Sequence, residues 1–286
     1  MHTLDQLNAL PPENFVNALI GVFEHAPWVA EAVAPQRPFF TVTALHDALM
    51  QAVRAAPPEE CVAFLRGHPA LSPKALADPG LTSESRSEQG GLGMAALGDR
   101  LVRFDSASTA YEARFGYPFI VCVRRQTPAF VLSGLEKRLG HTPEAELAAA
   151  LTEIGHITRL RLVDRVSGPG MPKTTGHLSS HVLDTARGKA AEGVRIELFR
   201  EGVRIKEAVT NRDGRTDEPL LSGEPLRIGR YELRFHLGDY YKDWPNAVEP
   251  PFYDVVPIGF GVAEPEGHYH LPLLLNAWSY TTYRGS

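Results

Sequence analysis

The sequence predicts a multidomain protein, with an all-α helical domain at residues 1–165 and an all-β sandwich domain at residues 178–286. The first observation behind this prediction is that the apolar residues change from a helical period to a period of two near residue 170. The second is the segment 166–177, which holds three glycines and two prolines without an apolar period, as is typical of a linker. The third is the length of 286 residues, which corresponds to about two domains at roughly 150 residues each.

Helical patterns follow one another through the first domain. Pro11 and Pro12 precede apolar residues at helical spacing, which predicts a helix with proline in its first turn. The clearest helix begins after Thr142, has acidic residues in its first turn and carries an apolar stripe to about residue 163. Similar patterns occur at residues 43–55, 57–66, 83–97, 99–115 and 127–139.

Alternation of apolar and polar residues predicts half-buried antiparallel strands in the second domain. Val194, Ile196 and Leu198 alternate with charged residues, and the apolar residues from Tyr231 to Leu237 alternate in the same way. Turn dipeptides such as Asp213-Gly214 separate the strand candidates at short spacing. These patterns favour a small β-sandwich of about 110 residues.

Composition and charge exclude several classes of protein. Hydrophobic residues make up 43% and charged residues 22%, which is typical of a globular chain and not of a disordered one. The net charge of −5 provides no basic excess for the phosphates of nucleic acid. The N-terminus has no basic and apolar signal region, and no apolar run reaches about 18 residues, so we expect neither secretion nor a membrane span.

The two cysteines indicate the compartment. Cys61 and Cys122 lie in apolar segments, and no CxxC pair or Cys/His cluster occurs. This pattern predicts neither a disulfide framework nor a metal site, and it is typical of a reducing environment. The residues Arg284-Gly285-Ser286 are not a peroxisomal address, so we expect a cytoplasmic protein.

Among the eleven histidines, His181, His268 and His270 differ from the others in their positions in predicted strands. His268 and His270 are two apart in a predicted strand, which puts both imidazoles on one face, and His181 begins another strand. Three interpretations stay open on this pattern alone. The histidines are ligands of a zinc ion that activates water, or one of them is a general base beside a cation, or they lie at the edge of the sandwich without a catalytic role.

Three segments of the second domain carry a family resemblance: HVLDTARGKAAEGVRIEL at 181–198, TNRDGRT at 210–216, and HYHLPLLLNAWSYTTYRGS at 268–286. Together they resemble the transthyretin-like family of 5-hydroxyisourate hydrolases over residues 178–286, and the last four residues match the signature of the enzymes in that family. The resemblance implies a transthyretin-like sandwich that forms a tetramer. It also implies a substrate-binding role for Arg284 and catalytic roles for His181, Arg215, His270, Tyr283 and Ser286.

The chemistry implied by this resemblance suits those residue types. Opening the ring of 5-hydroxyisourate requires a water activated against an imide-like carbonyl. A neutral histidine takes the proton, and an arginine cation stabilises the developing oxyanion. In the family these groups meet at a subunit interface, and no cofactor is required.

Four segments of the first domain mix polar groups with apolar neighbours: Gly67-His68-Pro69, residues 85–89, residues 115–121 and residues 158–162. Each alone is typical of a turn or a solvated helix face. Their order and spacing over about 8–165 resemble 2-oxo-4-hydroxy-4-carboxy-5-ureidoimidazoline (OHCU) decarboxylase. The resemblance implies that His68 is the catalytic acid, with Glu88 and Arg161 as its catalytic partners. The implied substrate contacts are Pro69, Ser85, Gln89, Ile120, Val121, Cys122, Val123 and Arg124.

The two resemblances concern consecutive steps of urate breakdown, so together they predict a bifunctional enzyme similar to allantoin synthases. The second domain would convert 5-hydroxyisourate to OHCU, and the first would convert OHCU to (S)-allantoin. The substrates are small molecules, with no nucleic acid, membrane, metal or other cofactor expected. The alternatives are a chain in which only the hydrolase is active and the helical domain is a scaffold, a zinc-dependent amidohydrolase, and a transthyretin-like ligand carrier.

Overall fold

The computed structural model describes residues 1–72 and 81–285, and the chain divides into two units between Lys173 and Thr174. The first unit is helical and the second is built from strands, which confirms the predicted fold class. Among the described residues, none of the helices has both the length and the apolar character needed to cross a membrane.

Short helices joined by tight connections build the first unit. Numbered in chain order, they are α1 (Leu4–Ala9), α2 (Pro12–Ala18), α3 (Pro27–Val33), α4 (Val42–Ala55), α5 (Pro58–Arg66), α6 (Ser83–Leu92), α7 (Arg100–Phe115), α8 (Pro128–Arg138) and α9 (Pro143–Val163). Proline occupies the first turn of α2, α3, α5, α8 and α9, where its missing N–H leaves no helical hydrogen bond unmade. Two short strands, β1 (His2–Thr3) and β2 (Val166–Ser167), pair in parallel.

The long helix α9 is the central element of this unit. Ala150, Ile154 and Thr158 are buried along one side, and Leu160 and Leu162 are buried on another. Because α9 is enclosed on several sides, its polar residues also lie inside the protein. Arg161, at 4% exposure, therefore needs buried partners for its charge.

The helix boundaries differ from the sequence pattern at two places. The helix that begins near Pro12 ends at Ala18, although apolar residues at helical spacing continue to Phe23. The helix predicted over 83–97 ends at Leu92, because Gly93 adopts the left-handed conformation with φ of +72°. A 3₁₀ turn follows at Met94–Leu97.

The second unit is a sandwich of two four-stranded sheets. Its strands are β3 (His177–Asp184), β4 (Lys189–Ala190), β5 (Arg195–Arg200), β6 (Val203–Val209), β7 (Gly229–His236), β8 (Val255–Val262), β9 (His268–Leu275) and β10 (Tyr280–Thr282). One sheet has the order β10-β9-β3-β4 and the other β6-β5-β7-β8. Within these sheets β3 and β9 run parallel, and the other neighbours are antiparallel.

The predicted alternation is confirmed in the core between the sheets. Val194, Ile196 and Leu198 are fully buried, and so are Leu233 and Phe235 of β7. The strand pattern that runs on to residue 237 ends one residue earlier, because a short helix, α10 (Leu237–Tyr241), begins there.

Both ends of the segment 166–177 make backbone contacts. The amides of Val42 and Thr43 donate to the carbonyls of Pro169 and Gly170, at 2.9 and 3.1 Å. At the other end, the amide of Gly176 donates to the carbonyl of Glu224 at 2.9 Å. The linker boundaries read from the sequence stay a prediction.

Candidate active sites

Helix α6 brings the polar residues of the first candidate site to one face. Ser85, Glu88 and Gln89 are three and four positions apart, so they project from the same side of the helix. The helix begins after Thr82, whose hydroxyl accepts the amide of Ser85 at 3.3 Å. Ser85 and Gln89 are buried, and Glu88 is largely buried.

Arg161 of α9 is the centre of this cluster. Its Nε and Nη2 donate to the two carboxylate oxygens of Glu88 at 3.0 and 2.8 Å. Nη2 also donates to Oγ of Ser85 at 3.0 Å. Nη1 donates to Glu24 at 2.7 Å and to the carbonyl of Gly21 at 3.3 Å. A guanidinium has five N–H groups, so protein acceptors take all of them.

Glu24 and Glu88 therefore share one guanidinium. Burial lowers the tendency of Arg161 to stay charged, but its hydrogen bonds and charge contacts with Glu88 and Glu24 raise its pKa. Burial would also raise the pKa of Glu24. Hydrogen bonds from Thr82 and Arg161, together with the charge of Arg161, outweigh the effect of burial, so the pKa of Glu24 is lowered.

His68 follows α5 and is held in one tautomer. Its Nδ1 is 3.1 Å from the carbonyl of Phe64, and a carbonyl only accepts, so Nδ1 carries the proton and Nε2 has a lone pair. The imidazole also stands edge-on to the ring of Phe64, with centroids 4.8 Å apart. Burial lowers the pKa of His68 to about 4, so the ring is neutral near pH 7.

A small cleft joins these groups. The predicted site residues that line it are His68, Pro69, Ser85, Glu88, Gln89, Ile120, Val121, Val123 and Arg161. The segment from Phe119 to Val123 forms one wall. Two side chains hold its backbone: the buried Arg138 donates to the carbonyl of Ile120 at 2.8 Å, and the half-buried Glu153 accepts the amide of Cys122 at 2.7 Å.

Two predicted substrate contacts do not line the cleft. The side chain of Cys122 is 2% exposed, and burial raises the pKa of its thiol. The guanidinium of Arg124 donates to Asp164 at 2.9 Å. Their roles as substrate contacts stay predictions.

The second candidate site lies on the outer face of the sheet that contains β3 and β9. The parallel register pairs Ser179 with His270 and His181 with Pro272, so all four side chains share one face. The alternate residues of β3 face the core and are buried. Oγ of Ser179 lies 2.9 Å from Nδ1 of His270, which fixes the orientation of that imidazole.

A tight loop brings Arg215 next to His181. The side-chain oxygen of Asn211 accepts the amides of Asp213 and Arg215, at 3.0 and 3.3 Å. Gly214 has φ of +70°, and a Cβ there would lie 2.2 Å from the carbonyl of Val182, so the loop needs glycine. The resulting bridge pairs His181 with Arg215.

These three residues form one electrostatic group. Burial and then the positive charge of Arg215 lower the pKa of His181 and of His270. For His181, a hydrogen bond with the backbone of Asp213 and the carboxylate of Asp213 partly oppose this. Both imidazoles are therefore biased towards the neutral form, which a general base requires.

The C-terminal segment runs antiparallel along β9 to the same place. The amide of Gly285 donates to the carbonyl of His270 at 2.8 Å. A Cβ on Gly285 would lie 2.7 Å from Cδ2 of His270, so a larger residue would displace the segment or the imidazole. Tyr283 and Arg284 line a separate pocket, in which the guanidinium of Arg284 lies 4.8 Å from the centre of the Tyr269 ring. Ser286 lies outside the described residues.

The zinc interpretation named His181, His268 and His270. His268 is exposed, and its ring contacts that of His177 with centroids 5.0 Å apart. In the described part of the chain, no three His, Cys, Asp or Glu side chains form a group that could hold a metal ion.

The two clusters define an enzyme with two separate sites, one in a helical unit and one on a β-sandwich. A family model described as OHCU decarboxylase matches residues 8–163, and one described as the HIUase/transthyretin family, in which HIUase denotes 5-hydroxyisourate hydrolase, matches residues 178–285. The chain therefore belongs to the OHCU decarboxylase family through its first unit and to the HIUase/transthyretin family through its second.

Individual relatives agree with both assignments. A 5-hydroxyisourate hydrolase of Deinococcus radiodurans is 53% identical over 118 residues, which cover 39% of this chain and 99% of that protein. An OHCU decarboxylase of Haloferax volcanii is 34% identical over 166 residues, covering 58% of this chain and 96% of that protein. A crystal structure of (S)-allantoin synthase aligns over 100% of both chains, with 34% identity and a TM-score of 0.53.

Sequence reasoning missed Glu24, which is 2% exposed and bonded to three residues of the first site. An acidic residue within an apolar segment, Val22-Phe23-Glu24, is the signal that could have identified it. It also missed Ser179, which shares a face with His181 by the period of two.

Proposed function

We propose that the two units catalyse consecutive reactions. The second unit hydrolyses 5-hydroxyisourate to OHCU, and the first decarboxylates OHCU to (S)-allantoin. The observation that carries this proposal is the 34% identity to an (S)-allantoin synthase over the full length of both chains. The separate matches of the two units to decarboxylase and hydrolase relatives agree with it.

For the hydrolase, we propose that His270 or His181 takes a proton from water as the water attacks the substrate carbonyl. Support comes from the lowered pKa of both imidazoles, which keeps a lone pair free on each ring. Arg215 stabilises the negative charge that develops on the carbonyl oxygen. The C–N bond of the ring then breaks, and the nitrogen receives the proton. Tyr283, Arg284 and Ser286 complete the site in this proposal.

For the decarboxylase, we propose that Nε2 of His68 takes the proton of the substrate's 4-hydroxyl. The C–C bond to the carboxylate breaks, CO₂ leaves, and the electron pair passes through the ring onto the nitrogen of its C=N bond, which takes a proton from water. The imidazolium of His68 then returns its proton to one face of the ring, which gives a single enantiomer. The assigned tautomer and the low pKa support both steps, since the neutral ring is a base and its protonated form a strong acid.

The remaining predicted residues of this unit hold the substrate in the same proposal. Oε1 of Gln89 is buried and, among the described residues, accepts no hydrogen bond, so it is available for an N–H of the ureido group. The cleft beside Glu88 is lined by Pro69, Ser85, Ile120, Val121 and Val123. In this proposal the backbone of residues 120–124 supplies the remaining substrate contacts.

The test is circular dichroism of the allantoin formed when urate oxidase supplies 5-hydroxyisourate from urate. We expect rapid, optically active (S)-allantoin from the wild type, and its loss in His68→Ala and in His270→Ala. His68→Ala should still consume 5-hydroxyisourate rapidly. Fast consumption of 5-hydroxyisourate by the wild type with slow, racemic allantoin would contradict the decarboxylase assignment.

We further propose a homotetramer assembled through the sandwich, in the cytoplasm. The half-buried state of His181 and His270 on an outer sheet face supports a site that a second subunit covers. Sedimentation equilibrium should give four chains, and a monomer with full hydrolase activity would contradict the tetramer. Cell fractionation with antibody detection tests the location.

A further inference from the structure

We propose that Glu24 is a positioning residue for decarboxylation, whose carboxylate fixes Arg161 and Ser85 and, through Arg161, Glu88. This inference rests on the decarboxylation proposed for the helical unit. No pattern in the sequence and no part of the family resemblance assigned a role to Glu24.

Both carboxylate oxygens of Glu24 accept hydrogen bonds from other residues of the site. Oε2 accepts from Nη1 of Arg161 at 2.7 Å and from Oγ of Ser85 at 2.8 Å. Oε1 accepts from Oγ1 of Thr82 at 2.6 Å. The carboxylate therefore joins the segment before α3, the first turn of α6 and the helix α9.

Glu24 and Glu88 hold opposite sides of the guanidinium. Glu88 takes the edge formed by Nε and Nη2, while Glu24 takes Nη1. Without Glu24, Nη1 would keep only the carbonyl of Gly21 at 3.3 Å. The orientation of Arg161, and with it that of Glu88 at the cleft, would no longer be fixed from both sides.

The arrangement also keeps Arg161 from binding the substrate carboxylate. All five N–H groups have protein acceptors, so none is left for the group that must leave as neutral CO₂. An arginine that bound that carboxylate would stabilise the ground state more than the transition state and would slow its loss. Loss of Glu24 would release one N–H of Nη1 for this unproductive contact.

The inference therefore predicts a loss in kcat without a rise in KM. Glu24→Gln keeps the size and removes the charge. We expect kcat for decarboxylation to fall about 10- to 100-fold, as for other residues that orient a catalytic group. KM should stay constant or fall. Glu24→Asp keeps the charge and should recover part of kcat. Added 5-hydroxyisourate hydrolase in excess supplies OHCU, and circular dichroism reports (S)-allantoin.

Glu84→Gln is the matched control, because Glu84 pairs with Arg165 in a part-exposed ion pair of the same unit. It should leave kcat within about twofold of the wild type. Hydrolysis of 5-hydroxyisourate by each variant, measured without the added enzyme, checks the second unit of the same chain.

Wild-type kcat in Glu24→Gln would overturn the inference. Equal losses in Glu24→Gln and Glu24→Asp that follow equal falls in Tm would assign Glu24 to stability, and so would loss of helical circular dichroism in both variants; either result overturns it. A wild type that forms no (S)-allantoin in this assay would instead contradict the proposed function, so the two failures are distinguishable.

Discussion

The two candidate sites differ in how the protein surrounds their charged groups. In the helical unit, the side chain of Arg161 is 5% exposed and bonded to two carboxylates, whereas Arg215 of the sandwich lies exposed on a loop. The imidazoles of His68, His181 and His270 are all half-buried with a lowered pKa, but the charge that lowers it next to burial at His181 and His270 is that of the exposed Arg215. The charged groups of the first site are therefore fixed by contacts within the helical unit, whereas Arg215 of the second site is accessible to another surface.

The largest effect that tests this difference is expected from Arg161→Ala. Removing the guanidinium leaves Glu24 and Glu88 as buried carboxylates without their partner. We expect decarboxylation to be lost and the helical unit to be destabilised by about 3–5 kcal/mol. Thermal unfolding followed by helical circular dichroism measures this change.

Arg103→Ala is the matched control, because it removes an exposed ion pair of the same unit, that with Glu136. Its stability should change by less than about 0.5 kcal/mol. An Arg161→Ala variant that unfolds at the temperature of the wild type would show that the cluster is no more constrained than a surface pair.

Arg215→Ala should slow its reaction without unfolding its unit. Among the described residues, the exposed side chain has no buried partner that its removal would leave unpaired, so we expect stability to stay within about 0.5 kcal/mol. The rate of 5-hydroxyisourate hydrolysis should fall by about 10²- to 10³-fold, because the oxyanion loses its cation. Stopped-flow absorbance of 5-hydroxyisourate measures the rate, and decarboxylation in the same chain is the control. Unfolding of the sandwich in this variant would remove the contrast with Arg161.

Gly285→Ala should disturb His270 in the second site. The added Cβ would lie 2.7 Å from Cδ2 of His270, so the segment or the imidazole must move. We expect about a tenfold fall in the rate of hydrolysis and no change in decarboxylation. Gly259→Ala is the control, since a Cβ there meets no atom within 4 Å. Equal rates in the two variants would mean that the position of this segment does not matter to His270.

The smallest expected effect is that of mild acid on decarboxylation. With a pKa of about 4, His68 stays about nine-tenths neutral at pH 5, so kcat should change by only about a tenth between pH 7 and 5. The measurement is the initial rate with OHCU supplied by excess hydrolase. A fall in kcat with an apparent pKa near the ordinary histidine value would contradict the lowered pKa of His68.

The stability of the helical unit should fall in mild acid, although kcat stays nearly constant. His46, His68 and His156 all have their pKa lowered to about 4, with burial as the main cause. Below about pH 6.5 the unfolded chain takes up protons at these positions and the folded chain does not, so the helical unit loses stability as the pH falls towards 4. The kinetic test therefore needs protein that circular dichroism shows to be folded at pH 5.

Local patterns predicted the fold well where a single period decides it. Val194, Ile196 and Leu198 face the core because alternate strand residues share a face, and that follows from three residues of sequence. Helix α1 was missed because it has only six residues, and a capping box of Thr3 and Gln6 defines its start. Its apolar pattern is too short to be recognised.

The residue types of the helical site could be predicted from the sequence, but the hydrogen bonds between them could not. His68, Glu88 and Arg161 were identified from the family resemblance, and they line one cleft. Glu24 was missed because its bond to Arg161 spans 137 positions, and no local period reports such a pair. The same limit applies to the full occupation of the Arg161 N–H groups, whose acceptors lie in two segments, residues 21–24 and 85–88, far from α9 in the sequence.

The parallel pairing of β3 with β9 has a consequence for the order in which a ribosome completes the two activities. All the groups of the helical site are present once α9 has been synthesised, so that unit can fold while the strands are still being made. His181, by contrast, lies in the first long strand of the sandwich, and the strand β9 that carries His270 is synthesised about 90 residues later. The pairing of β3 with β9 therefore has a high contact order. A ribosome that stalled before β9 would release a decarboxylase without the enzyme that makes its substrate.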